Sequence, residues 1–101
     1  RAEALTLNRR LHFTLYDEAR SPSLRQLIAI SWLRAGPMIS LDLGPHNAIE
    51  RASHSVDAHG QLVEALQARD REAAAAAIRL DITTAAEIIL EHLAHAGESQ
   101  P

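Results

Sequence analysis

Apolar residues recur along this chain at intervals of three and four, the period of helices with one buried face. Leu5, Leu11, Leu15 and Ala19 predict a first helix over about Glu3 to Arg20. Ser21-Pro22-Ser23 breaks it, with Ser21 suited to cap a second helix and Pro22 to its first position. That helix runs through Leu24, Leu27, Ile28, Trp32 and Leu33 and is expected to end or kink near Gly36-Pro37. Met38 to Leu43 reads equally as a helical continuation or an extended connector, broken at Gly44-Pro45. A third helix is predicted from about Ala48 to Ala68, with Val56, Leu62, Val63 and Leu66 on its apolar side. Asp70 then caps a last helix over about Arg71 to Ala96, rich in alanine and closed near Gly97. Glu98 to Pro101 is expected to be a frayed tail. No segment alternates as a strand does, so the fold expected is all-α, an antiparallel helical bundle.

Several polar residues interrupt those apolar stripes. On the first helix Asn8 and His12 lie one turn apart within Leu5, Asn8, His12, Leu15 and Ala19. On the third, His59 falls in the stripe Val56, His59, Val63 and Leu66. On the last, Asp81 falls within Ala74, Ile78, Asp81, Ala85 and Ile88. Buried polar groups need partners, and one economical arrangement gathers them around a single site. Two imidazole nitrogens, a carboxylate oxygen and an amide oxygen suit a divalent transition metal such as Zn, Ni or Mn. Taken one at a time, each is more often a boundary residue or a satisfied core polar group, and it is the convergence of three helices that brings the shared site level with that reading. The other histidines invite structural or solvent roles. His92 and His95 sit near the last helix's C-terminus, His46 in the Gly-Pro loop, and His54 on the face expected to be solvated.

Composition narrows the classes. The 101 residues are 47% apolar but only 3% aromatic, which allows one mainly aliphatic core. The net charge of −3 gives no basic nucleic-acid footprint, and the basic residues are all arginine. With no cysteine, disulfide frameworks and thiolate metal sites are excluded. The apolar runs are too short to span a membrane, and a cytoplasmic protein is expected.

Asn8-Arg9-Arg10-Leu11-His12-Phe13, followed by Leu15-Tyr16 and Ala19, resembles the helix carrying the Asp-x-x-x-His pair of the FCD domain. That is the ligand-binding domain of GntR-type transcription regulators of the FadR subfamily. Ser21-Pro22-Ser23-Leu24, Ser31-Trp32-Leu33-Arg34 and Gly36-Pro37 are similar to its next segments. Ala58-His59, Leu62-Val63-Glu64-Ala65-Leu66 and Arg69-Asp70-Arg71-Glu72-Ala73-Ala74 resemble its His-bearing helix, its turn and its Ala-rich final helix.

The resemblance implies a metal site of one aspartate and three histidines. Asn8 stands where the aspartate would be, His12 and His59 match two histidines, and Asp81 replaces the last. These are the four positions that the stripes single out. It further implies a sensor, with no catalytic residues, for a small organic acid within a homodimer. Arg34, with Ser31 beside it, is the candidate second anchor for the acid's carboxylate. DNA would be reached only through an N-terminal winged helix-turn-helix absent here, the sensing domain occupying residues 1–97. Two other classes remain open: a metal-dependent hydrolase on a helical bundle, and a structural oligomerisation module. Against the hydrolase, the chain has no His-Glu-x-x-His pattern and no general base beside the cluster.

Overall fold

The computed structural model describes residues 2–39 and 44–98. They form four helices, α1 (Ala2–Glu18), α2 (Pro22–Ile39), α3 (Gly44–Gln67) and α4 (Arg71–Glu98), with no strand among the described residues. The protein is all-α. Its helices fall into two compact units, α1 with α2 and α3 with α4.

In the first unit α1 ends in a tight turn, where Arg20 takes a left-handed φ of 53°. The Ser21 hydroxyl then accepts from the Leu24 amide at 3.4 Å, and Pro22 opens α2, as the sequence predicts. Aromatic contacts join the helices. Trp32 of α2 meets the rings of His12 and Phe13, each at 5.3 Å between centroids. The guanidinium groups of Arg9 and Arg25 lie 5.4 and 5.2 Å from the centre of the Phe13 ring. Arg25 also donates to Asp17 at 2.7 Å, a half-exposed pair worth under about 1 kcal/mol.

One boundary that the sequence leaves open is decided in this unit. The helix does not stop at Gly36-Pro37 but continues through Pro37 to Ile39. Proline leaves the carbonyl four residues earlier, at Leu33, without its helical donor. Leu33 is 79% exposed, so water can satisfy that oxygen. Residues 40–43 of the expected connector lie outside the described residues.

The second unit carries the aliphatic core. α3 opens at Gly44 rather than near Ala48, and Pro45 is tolerated because amides of a first helical turn have no intrahelical acceptor. The α3–α4 connection is a Schellman turn: the Asp70 amide donates to the Ala65 carbonyl at 2.9 Å and that of Arg69 to Leu66 at 3.1 Å. Asp70 then caps α4, its Oδ1 accepting from the Ala73 amide at 3.1 Å. Asp70→Ala should therefore lower stability by about 1 kcal/mol, measurable by urea unfolding. Arg69 occupies the left-handed position of the turn, φ 56°, where glycine is usual. Arg69→Gly should raise stability by about 0.5–1 kcal/mol in the same assay.

α3 and α4 pack through Ala58, Leu62 and Ala65 on one side and Ala77, Asp81 and Ile88 on the other. The α4 face agrees with the predicted stripe. That of α3 is rotated: Val56, Val63 and Leu66 are exposed, while the smaller Ala58 and Ala65 turn inward. Alanines let two helix backbones approach closely, and Leu62 fills the space between them. α4 runs one residue past Gly97 to Glu98, and residues 99–101 of the expected tail lie outside the described residues.

Candidate metal centre

Position along the hairpin explains the central contact of the second unit. His59 lies ten residues before Arg69 and Asp81 eleven after Asp70, so each stands about 15 Å from the turn. Both therefore reach the same level of the helix pair, and His59 Nε2 donates to Asp81 Oδ2 at 3.0 Å. The sequence had placed each on its helix's inner stripe, and the structure brings them together. Asp81 is 6% exposed, an acid in an otherwise aliphatic interface. A buried carboxylate is costly unless it is paired, which the His59 contact provides.

A third side chain belongs here, although the sequence pattern predicts it on a solvated face. His54 is turned inward, its side chain 16% exposed, with Nε2 at 3.9 Å from Asp81 Oδ1. That distance is too long for a hydrogen bond, and Nε2 has no partner among the described residues. The inward position of His54 has the same origin as the rotated face. With Ala58 and Leu62 inward, His54 lies one turn before Ala58 on the buried side. His59 sits at the edge of that face and keeps 22% exposure.

In the first unit His12 is buried and Asn8 is half-buried, on the stripe predicted for α1. Tyr16, one turn later, holds the His12 ring through an Nδ1···Oη contact of 2.9 Å. In the tautomer where Nδ1–H donates to Tyr16, Nε2 carries the lone pair that a metal requires. Ser31 and Arg34 are exposed on α2, and the Ser31 hydroxyl donates to the Leu27 carbonyl at 2.9 Å. Neither lines the hollow between α1 and α2, which is bordered by Leu5, Arg9, Trp32 and Gly36. Of the remaining histidines, His95 is exposed, 3.8 Å from Glu91 one turn before it, and His92 is half-buried. The side chain of His46 lies outside the described residues.

The donor types fit a transition metal. His59 and Asp81 each offer one ligand atom, a nitrogen and a carboxylate oxygen, that an ion could take. Two ligand atoms about 2.0–2.2 Å from one ion stand about 3.0 Å apart at octahedral angles and about 3.4 Å apart at tetrahedral ones, so the observed 3.0 Å lies at the short end of that range.

Residues 1–84 match the FCD domain family, and the chain belongs to it. The FCD domain is the C-terminal, ligand-sensing domain of GntR-family regulators, binding small-molecule effectors in proteins that are often dimeric. Comparisons with curated proteins and with solved structures found no match. No helix among the described residues is long and apolar enough to cross a membrane.

Proposed function

We propose that this chain senses a small organic acid for a GntR-type transcription regulator of the FadR subfamily, with a divalent transition metal as the acid's anchor. Asn8, His12, His59 and Asp81 are the proposed ligands, and Zn, Ni or Mn the candidate ions. The observation that carries the reading is the part-buried His59–Asp81 contact, which pairs the residues standing at the family's ligand positions on α3 and α4.

Each residue has a distinct part. His59 and Asp81 supply a nitrogen and a charged oxygen from one rigid helix pair. His12 supplies a second nitrogen, oriented through Tyr16. Asn8 gives a neutral oxygen where the family has a carboxylate, so the net negative charge of the set rests on Asp81. A bound ion supplies Lewis acidity and positive charge against which the effector carboxylate can be fixed. Arg34, with Ser31 beside it, is the proposed second anchor, its planar guanidinium matching a carboxylate's two oxygens.

In this reading the protein works in the cytoplasm as a homodimer. It reaches DNA through a winged helix-turn-helix outside these residues. Effector binding alters DNA affinity to the extent that the acid favours one arrangement of the dimer over another.

Calorimetric zinc titration of the metal-free protein tests this. About one equivalent should bind, and His59→Ala should lose it. Asn8→Asp, which restores the family's carboxylate, should tighten binding about tenfold. Thermal shifts with small carboxylic acids should then appear only in the zinc-loaded protein. Absence of zinc uptake by the unmodified chain would overturn the metal reading.

A further inference from the structure

The site contains one buried group that neither the family pattern nor the four proposed ligands use. His54 Nε2 is shielded from solvent and makes no hydrogen bond with any described residue. Its nearest acid is Asp81, and it faces the opposite carboxylate oxygen from His59: Oδ1 at 3.9 Å, against Oδ2 at 3.0 Å for His59. An imidazole nitrogen withdrawn from water in an aliphatic interface is unfavourable unless some state of the protein uses it.

The replacement at position 81 suggests that use. A histidine there, as in the family pattern, would offer a metal one nitrogen and have no carboxylate to orient. An aspartate brings two oxygens and a carboxylate that can rotate, and metal-bound carboxylates are held by hydrogen bonds from outside the coordination shell. While no metal is bound, His59 donates to Asp81. Once His59 Nε2 becomes a ligand, that donation is lost, and a buried carboxylate with one oxygen on the ion needs a donor on the other.

We infer that His54 is that donor. It is a positioning residue whose Nε2–H closes on Asp81 Oδ1 when the centre is loaded, fixing the carboxylate in its ligating orientation. The required movement is about 1 Å, from 3.9 Å to hydrogen-bond distance, within reach of a side-chain adjustment. The inference rests on the metal reading of the site and adds to it a residue that pairs with this chain's own departure, Asp81.

The test is zinc titration by calorimetry on the unmodified protein, His54→Leu and His54→Gln, with circular dichroism and melting of each metal-free form. His54→Leu should weaken zinc binding ten- to hundredfold. It should leave the metal-free protein at least as stable, because it removes an unpartnered buried nitrogen. His54→Gln, whose amide can still donate, should recover most of the affinity. Unchanged zinc affinity in His54→Leu overturns the inference while leaving the metal reading intact. Equal losses in Leu and Gln also overturn it, since the role would then be packing. If the unmodified protein takes up no zinc, the metal reading fails and the inference falls with it.

Discussion

Asp81→Ala is expected to weaken zinc binding by about a hundredfold or more, a loss of about 2.7 kcal/mol or greater. Asp81 is the one charged group in the proposed ligand set, and at 6% exposure its carboxylate is little screened by solvent. The set that remains consists of neutral nitrogens and an amide oxygen, which offer a divalent ion no opposite charge. Asp81→Asn keeps the shape and removes the charge, so it should lose nearly as much. Asp81→His, by contrast, restores the family's nitrogen ligand and should bind zinc. Calorimetry reads all three, with the zinc-dependent rise in melting temperature as a second readout. Zinc affinity unchanged in Asp81→Ala would remove this residue from the centre.

Leu62→Ala should destabilise the protein by about 2–5 kcal/mol. Leu62 is 1% exposed and is the large side chain most fully buried among the described residues. Its neighbours on the α3 face, Ala58 and Ala65, and Ala77 across on α4 are too small to fill the volume it would leave. The cavity would therefore persist, which puts the cost toward the upper part of that range. Total stabilities of domains this size are about 5–15 kcal/mol, so much of the folded population is at stake. Val56→Ala is the matched comparison. Val56 is 71% exposed, and its truncation should stay within about 0.5 kcal/mol. Urea unfolding of the two variants separates the observed α3 face from the one hydrophobicity alone predicts. Equal losses would mean that Val56 is covered in solution.

Much of the fold was legible because its causes are local. Ser21 with Pro22, and Asp70 at the start of α4, mark helix ends through hydrogen bonds to amides three residues away. The inner faces of α1 and α4 could be read from periodicity, since Leu5 and Leu15, and Ile78 and Ile88, flank their polar residues with large side chains. His12, His59 and Asp81 emerged from the same stripes as polar residues that needed partners. Whether α2 ends at Pro37 or passes through it stays open in the sequence, because that depends on whether the carbonyl left without a donor can reach water.

The sequence by itself determined that this protein is helical, where most of its turns fall, and which polar residues interrupt its apolar stripes. Those properties follow from propensity, capping and period within single segments. Tertiary structure alone decided which face of α3 is buried. Hydrophobic pattern weights Val56, Val63 and Leu66 above alanine, but packing favours the side that lets two backbones approach, and Ala58 and Ala65 provide it. That rotation carried His54 from the expected solvent side to within 3.9 Å of Asp81. No period within a single helix specifies how a neighbouring helix will seat against it, so the placement of His54 and His59 beside Asp81 exists only in the folded pair.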